Sequence, residues 1–127
     1  MNTDEHGYEL DEITERIIGC AYRVSNGLGC GFLEKVYENA LVHELQKAGL
    51  QTSQQHAVSV CDDGVVVGEY VADLLVQEAV LVEVKAVKAL DEVHEAQCLN
   101  YLKATGLRVC LLINFGKPRV EARRFVR

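Results

Sequence analysis

A chain of 127 residues, 49% apolar, is long enough for one compact core and too short for two ordinary domains, so one site is expected. No apolar run approaches the ~20 residues that span a bilayer, and the start, Met1-Asn2-Thr3-Asp4-Glu5-His6, lacks the order of a secretory signal; a soluble, cytoplasmic protein with no membrane partner is expected. The net charge of −6 argues against a polyanionic ligand only until its distribution is read, because Met1 to Leu102 holds 18 acids and 6 bases while Lys103 to Arg127 holds 7 bases against the single acid Glu121.

That basic segment, with Arg123 and Arg124 near its end, either meets a phosphate backbone locally or forms a solvated final strand. The five cysteines are odd in number, scattered and without a C-x-x-C pair. They read as reduced, mostly buried small apolar residues rather than zinc ligands.

In chain order, residues 1–9 are expected as a flexible tail. Leu10, Ile13, Ile17, Ala21 and Val24 fall at helical spacing and predict a first helix to about Ser25, which the glycines of Asn26-Gly27-Leu28-Gly29-Cys30-Gly31 stop. A second helix is predicted from Phe32 to Ala48, with Gly49 past its end. The period then changes to that of strands. His56–Cys61 and Val65–Val76 bracket Asp62-Asp63-Gly64 as a hairpin, and Val80–Ala86 is a valine-rich third strand. A third helix from Leu90 to Ala104, a buried strand from Leu107 to Phe115 and a half-exposed strand from Arg119 to Val126 complete the order α-α-β-β-β-α-β-β. The expected fold class is α/β: a mixed sheet of about five strands flanked by helices, with the third helix as the crossover.

On the third strand Glu83 and Lys85 share a face by alternation. A three-residue connection at Gln77–Ala79 sets Asp73 directly across from Glu83, with Cβ atoms about 5 Å apart. A two-residue turn would oppose Asp73 to Val82 instead. Two ionised carboxylates so close repel by about 3 kcal/mol at an effective dielectric near 20. Either one keeps a proton or a cation sits between them, and oxygen ligands suit Mg²⁺ or Mn²⁺ better than zinc. Lys85 is placed to hold an attacking water or developing negative charge. The plainer alternative is a surface Glu83–Lys85 ion pair with Asp73 capping a turn.

Gly31-Phe32-Leu33-Glu34-Lys35-Val36-Tyr37, Tyr70-Val71-Ala72-Asp73-Leu74-Leu75-Val76, Val82-Glu83-Val84-Lys85-Ala86, Gln97 to Leu107 and Leu111 to Gly116 together resemble the GxxExxY proteins, within the PD-(D/E)XK nuclease superfamily. The resemblance covers nearly all of the chain after Glu12. It implies a restriction-endonuclease-like core in which Asp73, Glu83 and the carbonyl of Val84 hold the metal with Lys85 beside it. By the same resemblance Glu34 reaches the metal or its water from the opposite side, the plainer alternative being a carboxylate placed for the helix dipole and the free N–H groups of the helix start. Gln97 and Tyr101 resemble a Gln-x-x-x-Tyr element, in which Gln97 orients a ligand or phosphate and Tyr101 contacts the nucleic-acid backbone or a base. Ala72 stands where the superfamily signature has proline, a difference that bears on backbone more than chemistry.

The function so implied is hydrolysis of phosphodiester bonds in DNA or RNA by a metal-activated water. The alternatives are the same fold binding nucleic acid or a protein partner without turnover, and hydrolysis of a small phosphorylated molecule, which would need a closed pocket. A homodimer would bring two sites to a duplex.

Overall fold

The computed structural model describes residues 3–127, with side chains from Glu9 onward. Helix α1 (Thr3–Leu28) buries Ile17, Cys20, Ala21 and Val24 along one stripe. It begins inside the stretch expected as a tail, of which Met1 and Asn2 lie outside the described residues. Its end falls later than Ser25, because Gly27 continues the helix and Gly29 stops it. Gly29 takes φ +70° and donates its N–H to the Ser25 carbonyl at 2.8 Å, a left-handed terminus that a side chain would strain. Helix α2 (Glu34–Lys47) buries Tyr37, Glu38, Leu41 and Leu45, and its end is closed by the Leu50 N–H on the Leu45 carbonyl at 3.0 Å.

The hairpin of β1 (Thr52–Asp62) and β2 (Val65–Val76) turns through Asp63 and Gly64, both at positive φ, as a two-residue Asp-Gly loop requires. β1 starts earlier than His56 because Thr52 pairs with Val76 at the far end of β2. Next come β3 (Val80–Lys85), α3 (Glu92–Thr105), β4 (Val109–Asn114) and β5 (Glu121–Val126). Asp91 caps α3 by accepting from the Val93 and His94 N–H groups, and His94 Nδ1 accepts from the Asp91 N–H. That is the structural work of His94.

The sheet order is β1-β2-β3-β4-β5, and only β3–β4 is parallel, the pair that α3 connects. Leu74, Val76, Val82, Val84, Leu111 and Ile113 pack under α1 and α2, whereas Leu75, Leu81, Cys110 and Leu112 pack under α3. With both faces covered, all six β4 residues are buried, which is why β4 reads as a continuous apolar run. Truncating Leu111 to Ala would cost about 2–5 kcal/mol in such a core. Among the described residues no helix is long and apolar enough to cross a membrane.

Candidate active site

Strands β2 and β3 are joined by three residues, with Gln77 and Glu78 at φ +54° and +52° and the Ala79 N–H on the Val76 carbonyl at 3.0 Å. That odd length gives the register Val76↔Val80, Leu75↔Leu81, Leu74↔Val82. One step further Asp73 stands across from Glu83, but the ladder between main chains stops there. Side chains take over: the Asp73 N–H donates to Glu83 Oε2 at 2.7 Å, and the Val84 N–H donates to Asp73 Oδ2 at 2.8 Å. Beyond this point β2 pairs only with β1 and β3 only with β4, so the carboxylates sit in the fork of two diverging strands. Alternation also breaks at Asp73, since Ala72 packs on the α3 side and Leu74 on the other.

Each carboxylate thus commits one oxygen to its partner's strand. Among the described residues Asp73 Oδ1 and Glu83 Oε1 accept no hydrogen bond. Burial pushes the Asp73 carboxyl up to about 6; the Val84 N–H opposes this, the charges of Glu38 and Glu34 add to it, and Lys85 opposes it. Burial and then the charge of Asp73 push Glu83 up to about 8, against the Asp73 N–H and Lys85. Near neutrality the pair therefore holds a proton, which belongs to the pair and not to either residue alone. Lys85, half-buried at the end of β3, shares a face with Glu83 by strand alternation, and its charge acts on both carboxylates.

Two bare carboxylate oxygens beside a buried, self-repelling pair form a donor set that fits a hard divalent cation, which would displace the shared proton. Glu34 was expected as a further ligand, but among the described residues no three acids, histidines or cysteines gather closely enough to ligate one ion. Glu34 lies exposed on the first turn of α2, and only its charge reaches Asp73 and Glu83. The separation follows from where α2 docks.

Nearer to Asp73 in electrostatic effect is Glu38, one helical turn on from Glu34 and 3% exposed. Lys35 Nζ at 2.9 Å, Gln54 Nε2 at 2.6 Å and Gln55 Nε2 at 2.9 Å all donate to its Oε2. Burial works to raise the Glu38 carboxyl, but the Gln54, Lys35 and Gln55 donors outweigh it and hold it below the usual carboxylate range. Gln55 lies between the β1 partners of Ala72 and Leu74, opposite Asp73, at φ +59°, a strained conformation beside the site. Glu38 falls within the apolar stripe of α2, where its spacing gave no sign of a buried acid.

Tyr37 of the Gly31–Tyr37 motif is fully buried, stacks on Phe115 at a 5.0 Å centroid distance, donates its hydroxyl to the Gly29 carbonyl at 2.7 Å and accepts the Phe32 N–H at 3.2 Å. It ties down the loop that delivers Glu34. Asn114 does the same after Lys85. Its Oδ1 accepts the Val87 and Gly116 N–H groups at 3.0 and 2.9 Å, its Nδ2 donates to the Val87 carbonyl at 2.9 Å, and the Phe115 N–H reaches the Lys85 carbonyl at 2.8 Å. A Cβ on Gly116 would lie 2.1 Å from the Val87 carbonyl oxygen, so only glycine fits there.

Gln97 Nε2 donates to the Tyr101 hydroxyl at 3.1 Å, and that hydroxyl reaches the Val71 carbonyl at 3.4 Å, fastening α3 to β2 just before Asp73. Tyr101 is 5% exposed, so its ring is part of the wall and not a free base-stacking surface. Burial and then the charge of Glu83 raise its hydroxyl above the usual phenol range. Arg123 and Arg124 do not join in one patch. Arg123 is in line with Leu112 and Glu83 across the sheet, on the α3 side about 10 Å from Glu83, and pairs with Glu95 at 3.2 Å and Glu121 at 3.4 Å. Arg124 points to the opposite face, where Asp11 of α1 meets it at 2.6 Å.

Comparison with known proteins agrees with this fold. No curated protein matches the chain. Its fold is similar to the crystal structure of an alkaline exonuclease (LHK-Exo) from Laribacter hongkongensis, with a TM-score of 0.50 over 84% of this chain and 76% of that one. At 13% identity the likeness is one of fold. The sequence itself matches a family model over residues 11–125, which include every carboxylate described above as well as Lys85, and by that match the chain belongs to the PD-(D/E)XK nuclease superfamily.

Proposed function

We propose that this chain is a Mg²⁺- or Mn²⁺-dependent nuclease that hydrolyses phosphodiester bonds of DNA or RNA. The observation that carries the reading is the fork itself: Asp73 and Glu83 are locked by reciprocal hydrogen bonds to each other's strand, each with one oxygen left over, in surroundings that raise both above the usual carboxylate range. Asp73, Glu83 and the Val84 carbonyl would hold the metal, which when bound polarises a phosphoryl oxygen and activates an attacking water. The Lys85 ammonium offsets negative charge that develops on the phosphoryl oxygens during displacement. Glu34, solvent-facing and close enough for its charge to be felt, orients water. Gln97 acts as a positioning residue through Tyr101 and β2. The Gly31–Tyr37 motif supports a place among the GxxExxY proteins, and five free cysteines suit a reducing cytoplasm.

The deciding substitution is Lys85→Met, assayed with Mg²⁺ and with Mn²⁺ on single-stranded DNA, duplex DNA and RNA. Cleavage is expected to fall by about 10²- to 10³-fold while metal and nucleic-acid binding stay near wild type. A wild-type protein that cuts none of these substrates with either metal would instead make the fold a non-catalytic binding module.

A further inference from the structure

Past the fork the β1–β2 hairpin continues as a two-stranded arm, and between that arm and α3 lies a groove of about 820 Å³. Pockets of this size enclose ligands of one to a few rings. On a chain of net charge −6, no carboxylate among the described residues lines the groove, and its charged residue is Lys103. Gln97, Asn100 and Ser59 supply hydrogen-bonding groups, and Tyr70, 54% exposed, supplies an aromatic surface 6.1 Å from the Tyr101 ring and tilted 53° to it.

Gly68 also lines the groove. It interrupts a strand whose residues 65–67 are all valine, although its φ is not left-handed and a Cβ there would make only ordinary contacts, 3.5 Å to Tyr70 Cε2 and 3.9 Å to Val60 Cβ. The register shifts here, with Val60 opposite Gly68 and Cys61 opposite Val66, so Gly68 stands at a β-bulge, a common place for a strand glycine. Its missing side chain leaves open the space beside the Tyr70 ring. A chain of hydrogen bonds links the groove's wall to the fork. Gln97 lines the groove and holds the Tyr101 hydroxyl, which in turn reaches the Val71 carbonyl two residues before Asp73.

We propose that this groove holds one or two nucleotides of a single strand, next to the phosphodiester at the Asp73–Glu83 fork. A base stacks on Tyr70, the amide of Asn100 meets a base edge, and Lys103 faces a backbone phosphate. A duplex offers no free base faces for such a platform, whereas every base of a single strand does. The assignment rests on the nuclease reading and narrows it to single-stranded substrates or to the unpaired end of a strand.

The test is fluorescence anisotropy in EDTA, so that binding is read without cleavage, with a short oligothymidylate, a short oligouridylate and a blunt duplex as probes. Tyr70→Ala and Gly68→Leu, which fills the groove, are each expected to weaken single-strand binding about tenfold, the scale of one stacked base. Duplex binding and the melting temperature of Tyr70→Ala should stay at wild-type values, because Tyr70 is exposed. If Gly68→Leu does not fold, Tyr70→Ala decides alone. Unchanged single-strand affinity in Tyr70→Ala, or an equal loss for the duplex, overturns the proposal. So does a wild-type dimer that Tyr70→Ala converts to monomer with oligonucleotide binding intact, since the occupant is then a second copy of the chain. A wild type that binds through Tyr70 yet cuts nothing keeps the groove and ends the nuclease reading. One that cuts while Tyr70→Ala binds normally does the reverse.

Discussion

At the scale of single residues, the fork makes the protein's stability depend on pH in an unusual direction. Most native carboxylates are held below their ordinary values and are destabilised by acid. Here Asp73 is raised to about 6 and Glu83 to about 8, so without metal the folded chain keeps protons that the unfolded chain releases above about pH 4. Their contribution is complete below the unfolded values and is lost as pH rises through 6 and then 8. Thermal melts in EDTA should therefore show a melting temperature that falls from pH 5 to pH 9. In Glu83→Gln, which can still accept the Asp73 N–H but cannot ionise, the fall should be smaller, leaving the variant more stable than wild type at pH 9. A wild type that gains stability relative to the variant over that interval would reverse the assigned sign.

At the scale of elements, the site is held by short ties at the ends of helices and strands. Tyr37 joins α2 to the loop before it, Asn114 joins the end of β4 to the chain leaving Lys85, and Gln97 with Tyr101 joins α3 to β2. Tyr37→Phe keeps the stacking on Phe115 but leaves the Gly29 carbonyl and the Phe32 N–H without their partner. The expected cost is about 1–2 kcal/mol, or roughly 3–8 °C in melting temperature for a domain of this size. Hydrogen exchange should show the Phe32 amide losing protection while the amides of β4 keep theirs. Loss spread evenly over the whole chain would mean that Tyr37 serves the core alone and does not specifically hold the loop that leads into Glu34.

At the scale of the whole molecule, the basic C-terminal segment is divided between two faces of one strand. Arg123 shares the face of Glu83 and the α3 side, and Arg124 faces α1. Both are ion-paired, but such exposed pairs are worth at most about 1 kcal/mol and give way to a phosphate. Arg123→Ala should therefore weaken nucleic-acid binding and reduce the slope of log affinity against log salt by about 1, while Arg124→Ala leaves both unchanged. Equal effects from the two substitutions would show that long-range charge, and not the face presented, governs the encounter.

The eight elements and their order, the Asp63-Gly64 turn, the one parallel pair around α3 and the opposition of Asp73 to Glu83 could all be reasoned from the sequence, because each depends on local periodicity, turn length or parity along a strand. The split of Arg123 from Arg124 follows from the same alternation. The buried Glu38, the enclosed ring of Tyr101, the distance of Glu34 from the carboxylate pair and the lock of Asn114 on Val87 depended on how α2 and α3 dock and on which strands become neighbours. Periodicity says which way a side chain points along its own element. Which partner meets it there is decided by contacts between residues far apart in the chain, and a buried acid such as Glu38 is tolerated only because Lys35, Gln54 and Gln55 converge on it once the tertiary fold has formed.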